Sequence, residues 1–175
     1  MNNISLTPHF CLSEFTESPT ARKHGIANVP PPEAIENLKR LCADTLEPLR
    51  DALQLPVVIT SGYRTKALND LLAHSSERSQ HMEGQAADFY VGPAGFKFQD
   101  SGFKSKPSRR ELLIKAFREI LQNPKIDFDQ IILYPSFIHV SYVSKERNRH
   151  GILKAQGNGR LGYGRITLSN ALKIE

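Results

Sequence analysis

His81 and Asp88 stand seven positions apart in the stretch Ser79-Gln80-His81-Met82-Glu83-Gly84-Gln85-Ala86-Ala87-Asp88. A helix would carry the intervening glycine only at a cost of about 1 kcal/mol. Phe89-Tyr90-Val91, just after the aspartate, has the composition of a strand. A turn that delivers His81, followed by a strand that returns Asp88 to the same point, accounts for both features. An imidazole and a carboxylate that converge point to a metal ion, and a third ligand must then come from elsewhere. His139, in the apolar run Phe137-Ile138-His139-Val140-Ser141-Tyr142, completes a His-Asp-His set. Zinc binds nitrogen and oxygen at about 2.0–2.2 Å, and its catalytic sites use three protein ligands and leave one position open. Three ligands without a thiolate fit that pattern better than a closed structural site. Plainer roles stand beside this one: a histidine in an apolar strand is commonly a hydrogen-bonded core residue, and Asp88 would also serve to cap a turn.

The elements that must position these residues follow from pattern and punctuation. Residues 1–31 read as an arm packed on the domain, anchored by Phe10, Leu12 and Phe15, with a short helix beginning near Ser13. Pro30-Pro31-Pro32 marks a helix start, and Ile35, Leu38, Leu41, Cys42, Thr45, Leu46 and Leu49 recur at helical spacing. Pro48 is expected to distort or close the last turn. Leu55–Thr60 is a β-branched strand ending in the turn Ser61–Arg64, and Lys66–Ala73 is a short helix. A polar loop over 74–80 leads into His81, and Ala86–Val91 forms the next strand. Residues 92–107 read as a long surface loop or a flap. Ser108 and Glu111 form a capping box for a helix that Asn123-Pro124 ends. Asp129–Tyr134 and Phe137–Tyr142 are two strands joined by Pro135-Ser136, with Phe137, His139 and Ser141 on one face of the second. Residues 147–175, rich in glycine, read as a tail closed by a short strand at Arg165–Leu168. The expected architecture is α+β: a single domain over 1–175 with a small antiparallel sheet flanked by helices.

Composition narrows the class. An apolar fraction of 39% with 23% charged residues is that of a globular chain, so a core rather than disorder is expected. A net charge of +5 favours anionic partners without choosing among them. The basic residues are dispersed, with Lys104, Lys106, Arg109 and Arg110 in one place and Lys145, Arg147, Arg149 and His150 in another, so no nucleic-acid arm is read. Cys11 and Cys42 have neither a disulfide framework nor metal-ligand spacing, and Cys42 reads as a buried thiol. Met1–Ser5 lacks a secretory n-region and h-region, so synthesis in the cytoplasm without a signal peptide is expected. No apolar run reaches membrane-spanning length.

Ser61-Gly62-Tyr63-Arg64, Leu68-Asn69, Ser79-Gln80-His81-x-x-Gly84-x-Ala86-x-Asp88 and Ile138-His139-Val140-Ser141 together resemble the zinc D-Ala-D-Ala carboxypeptidase and endopeptidase family, peptidase family M15. The chain is similar to the subgroup found in phage and prophage lysis proteins, to which Leu6–Phe10, Ser13–Phe15, Pro31–Ala34 and Asn37-Leu38 also correspond. The resemblance runs from about residue 6 to residue 150. It implies that His81, Asp88 and His139 hold Zn2+. It further implies that Arg64 binds a substrate carboxylate or steadies the charge on the scissile carbonyl, a task suited to its planar fork of donors; a salt bridge to Asp88 is its plainer role. Ser79 would support a ligand, and Gly84 would let the loop turn.

In one respect the chain departs from that family. The pattern has a Glu or Asp shortly before the final histidine, whereas Leu133-Tyr134-Pro135-Ser136-Phe137-Ile138 contains none. Asp127 and Asp129 are the nearest acids, and Asp129 is the candidate base. Glu83 reads better as a solvated loop carboxylate, and Tyr134, with a phenol pKa near 10, as a donor and not a base. The activity implied is zinc-dependent hydrolysis of an amide bond in the peptidoglycan stem peptide, of carboxypeptidase or endopeptidase type. It would act on the cell wall, with phage-mediated release as one route there. The alternative is a zinc- or wall-binding structural protein of a phage or prophage. Nucleic acid and membrane insertion are not expected, and the pattern leaves the oligomeric state open.

Overall fold

A computed structural model describes residues 4–73, 75–92, 107–156 and 163–174. The arm begins as a hairpin of β1 (Ser5–Thr7) and β2 (Phe10–Cys11) that runs straight into α1 (Leu12–Thr16). Glu14 secures that helix start by accepting the Cys11 N–H at 2.8 Å. In α2 (Pro19–Lys23) the Ser18 hydroxyl accepts the Ala21 N–H, and proline fills the first turn, where its missing N–H costs nothing. Phe10 and Phe15 are fully buried and meet edge to face, with ring centroids 6.2 Å apart. The arm is therefore part of the core.

The amphipathic helix starts as expected, as α3 (Pro32–Leu41), and of the two outcomes expected of Pro48 the helix shows distortion just before it and not closure. A π-helical turn over Cys42–Leu46 leads into α4 (Glu47–Leu53), which includes that proline. Proline has no N–H for the carbonyl four residues back, and its ring crowds it. Here that carbonyl belongs to Asp44, and it accepts the Asp127 N–H at 3.0 Å instead. The Thr45 hydroxyl donates to the Asp127 carbonyl at 2.6 Å, so the break in the helix becomes the dock for a distant segment.

β3 (Val57–Ser61), α5 (Lys66–Leu71), β4 (Ala86–Val91), α6 (Arg109–Gln122), β5 (Gln130–Leu133) and β6 (Ile138–Ser141) follow in order. The helix α6 has the anticipated capping box at Ser108 and Glu111. The tail differs from expectation. It holds β7 (Gly151–Ala155) and β8 (Tyr163–Arg165), and Leu168 starts α7 (Leu168–Leu172), not the end of a strand. The main sheet has six strands in the order β3-β4-β6-β5-β7-β8. Its neighbours are antiparallel except β5 and β7, which are parallel. The class is thus α+β, with a sheet larger than expected and mixed. Residues 93–106, which make up nearly all of the loop or flap read over 92–107, lie outside the described residues.

Period-two alternation gives the sheet two faces. Ala87, Phe89, Val91, Ile131, Leu133, Ile138 and Val140 enter one core with the buried residues of α3, α4 and α6. The opposite face carries Asp88, His139 and Ile132. Register places these three side by side, since Asp88 pairs with His139 and His139 with Ile132. One face of the sheet holds the fold together and the other presents chemistry.

Candidate active site

The turn before β4 delivers His81 to that row. Met82 and Glu83 donate to the carbonyls of Ser79 and Gln80, and Gln85 closes on Gln80 at 3.0 Å. Gly84 sits at φ +67, and a Cβ there would lie 2.3 Å from the Ala34 carbonyl oxygen of α3, so both conformation and space require glycine. Arg64 donates its backbone N–H to the His81 carbonyl at 3.1 Å, joining this turn to the one after β3. Gly62, in that second turn, lies against Phe15 of the arm, where a Cβ would come within 2.6 Å of backbone.

Three ligand atoms converge on the cleft floor. His139 Nδ1 lies 2.8 Å from Asp88 Oδ1, His81 Nε2 lies 3.4 Å from the same oxygen, and the two nitrogens are 3.3 Å apart. The His81 Nδ1–H donates to the Gly62 carbonyl at 2.7 Å, which leaves the Nε2 lone pair facing the cluster. Four ligands held tetrahedrally at about 2.0–2.2 Å stand about 3.3–3.6 Å from one another. The two longer separations match that edge, and the shortest is an imidazole–carboxylate hydrogen bond. Two imidazole nitrogens and a carboxylate so close together form a donor set that a zinc ion fits once it displaces the proton shared by His139 Nδ1 and Asp88 Oδ1.

The electrostatics follow from burial and pairing. Burial would raise the Asp88 carboxyl, but the His81 and His139 imidazoles beside it hold it well below the usual carboxylate range. His81 is pushed down, chiefly by burial, against the opposing pull of Asp88. Arg64 donates from Nη2 to Asp88 Oδ2 at 3.2 Å and to Ser61 Oγ at 3.1 Å, and its Nε reaches the same hydroxyl at 3.2 Å. Its guanidinium thus backs the aspartate while lining the cleft.

Asp129 is fully buried in the same cleft wall. Its Oδ1 accepts the backbone N–H and the Nε–H of Arg149, both at 2.8 Å. Its Oδ2 accepts from Gln80 Nε2 at 2.9 Å, from Ser141 Oγ at 3.4 Å and from Arg149 Nη2. Burial would raise this carboxyl, yet the Arg149 and Gln80 donors hold it below its ordinary value. Glu83 is exposed and outside the cleft lining, in keeping with a solvated carboxylate. Tyr134 lines the cleft and stacks on Phe137 with ring centroids 4.3 Å apart. Ser79 also lines it, and the carbonyl that braces His81 belongs to Gly62.

Sequence reasoning passed over the Gly62 carbonyl, Gln80, Arg149 and the aromatic stack. Gln80 stood inside the motif, beside a proposed ligand. Arg149 belonged to a basic stretch whose approach to Asp129 depends on how β7 joins the sheet. A second His/carboxylate group, His9, Glu47 and Asp51, lies at the exposed surface. There Glu47 accepts both the His9 backbone N–H at 2.8 Å and its Nδ1–H at 2.9 Å, so pairing accounts for it.

Among the described residues no helix is long and apolar enough to cross a membrane. A family model described as Peptidase M15 matches residues 8–141, from the arm to the end of β6. Among curated proteins, none matches the chain.

Proposed function

The chain belongs to the peptidase M15 family, and from that premise we propose that it is a zinc-dependent peptidase hydrolysing an amide bond of the peptidoglycan stem peptide. We place it with phage and prophage lysis proteins, made in the cytoplasm and acting on the cell wall. The observation that carries the reading is the convergence of His81 Nε2, His139 Nδ1 and Asp88 Oδ1 on the floor of an open cleft. His81, Asp88 and His139 would hold the zinc, which when bound would supply Lewis acidity toward the scissile carbonyl and toward a water.

The chain's own residues have distinct tasks. Gly62 fixes the His81 tautomer through its carbonyl. Arg64 orients Asp88 and presents a guanidinium to the cleft, where it would meet a substrate carboxylate or the charge growing on the carbonyl oxygen. Asp129 is proposed to orient and not to transfer protons, because both its oxygens are engaged by donors and its pKa is depressed. It ties Gln80, next to His81, to Ser141, two residues after His139.

The second reading, a weak or inactive zinc- and wall-binding protein, draws on the same observation. The cleft-lining carboxylates among the described residues are Asp88 and Asp129, and both are engaged. Analysis of the products from digested peptidoglycan separates the two. New amino termini that vanish with His81→Ala support the peptidase, and intact muropeptides with stoichiometric zinc support the binder.

A further inference from the structure

The cleft has a direction. Its wall among the described residues carries four arginines, Arg64, Arg78, Arg147 and Arg149, against Asp88 and Asp129. Arg64 pairs with Asp88 and Arg149 with Asp129. Arg78 and Arg147 have no carboxylate partner among the described residues, and both are exposed.

Strand register orders the floor along one axis. His139 and Ile132 pair in the middle, and Gln130 pairs with Ser141 two positions toward one end. That end holds Asp129 and the turn after β6, in which Asn148 Oδ1 accepts the Val143 N–H at 2.9 Å and the Arg147 N–H donates to Ser144 at 3.1 Å. Gln80, two residues after Arg78, reaches the same end through its contacts with Asp129 and Arg149. The Tyr134–Phe137 stack occupies the opposite end. One end is cationic and the other aromatic, with the three ligand residues between them.

We propose that Arg78 and Arg147 form an anion subsite for a substrate carboxylate about one residue removed from the scissile bond. The protein would then prefer an acidic peptide cut internally over a neutral one trimmed at its C-terminus. This rests on the peptidase reading for where the bond lies. Two strand positions span about 6.6–6.8 Å, beyond a carboxylate on the residue flanking the bond, which Arg64 is placed to meet. The cleft volume of about 1010 Å³ lies at the upper end for small-ligand sites, leaving room for more than a dipeptide. Arg147 and Arg149 lie beyond residue 141, where the family match ends, whereas Arg78 and Asp129 lie within it.

The test is calorimetric binding to the zinc-loaded full chain of two synthetic stem pentapeptides, L-Ala-γ-D-Glu-L-Lys-D-Ala-D-Ala, in which the glutamate lies one residue from the internal L-Lys–D-Ala bond. One carries the glutamate α-carboxylate free and the other carries it amidated. The free acid is expected to bind about tenfold tighter, the worth of one charge-assisted contact. In Arg78→Gln and Arg147→Gln that ratio falls toward one, and Arg147→Lys recovers part of it. Equal binding of the two peptides, binding of neither, or a preference that survives both glutamine variants overturns the subsite. A preference without cleavage of either peptide upholds the subsite and refutes the peptidase reading. Cleavage of both with no preference does the reverse.

Discussion

Asp129→Asn separates an anchoring carboxylate from a proton acceptor. The substitution keeps the shape but replaces one oxygen by an NH2 that faces donors from Gln80, Ser141 or Arg149. Breaking a buried ion pair costs about 3–5 kcal/mol, but the Arg149 side chain is 60% exposed and regains water when released. Loss of charge-assisted hydrogen bonds to a buried group, discounted in that way, comes to about 2–3 kcal/mol. For a domain of this size that lowers Tm by about 4–12 °C. Asp129 titrates lower in the folded chain than in the unfolded one. Its contribution is therefore complete above the unfolded carboxylate pKa of about 3.9 and is lost as pH falls through the folded value. The Tm gap between wild type and variant, read by calorimetry from pH 7 downward, should accordingly narrow in acid. A variant as stable as wild type at pH 7 that has lost all peptide cleavage would refute the anchoring role and make Asp129 the base.

Three further outcomes follow from the site. His139→Ala and His81→Ala should each abolish stoichiometric zinc after dialysis, read by elemental analysis, while a mutated surface residue such as Lys39, which pairs with Glu36, keeps it. Chelation of the wild type should lower Tm by about 5–11 °C if metal stands at 100 times its Kd beforehand, since that ligation is worth about 2.7 kcal/mol. Gly84→Ala should cost at least about 1–2 kcal/mol for the left-handed backbone alone. It should also reduce zinc content, because the Ala34 carbonyl blocks the new Cβ and the His81 turn must move; full zinc loading with unchanged Tm contradicts this account.

Local pattern carried much of the fold. The alternation of Phe137 to Tyr142 correctly put His139 on the face opposite Ile138 and Val140, and the Ser108–Glu111 box correctly opened α6. The convergence of His81, Asp88 and His139 was legible because each sits at a turn or strand whose direction the neighbouring residues specify. What was illegible depends on distant partners. Helical periodicity ran past Pro48, but only the docking of Asp127 on the Asp44 carbonyl explains how the helix tolerates it. The strand Gly151–Ala155 is held by backbone pairing to β5, with a burial alternation too short to announce it. The state of Asp129 turns on Arg149, twenty residues later, whose place no window around the aspartate contains.

That late strand also bears on where the sheet ends. The family match stops at Ser141, where β5 would be the last strand on its side of the sheet. Its unpaired N–H and C=O groups would then face outward beside Ile131 and Leu133, a ready template for another chain to extend. β7 occupies that position in parallel register from Gln130 to Leu133, and β8 follows outside it. The segment after Ser141 thus moves the open edge from β5 out to the three-residue strand β8, with the same few residues that bring Arg149 to Asp129. A chain cut back to the family boundary would lose its guard against aggregation together with one wall of its cleft.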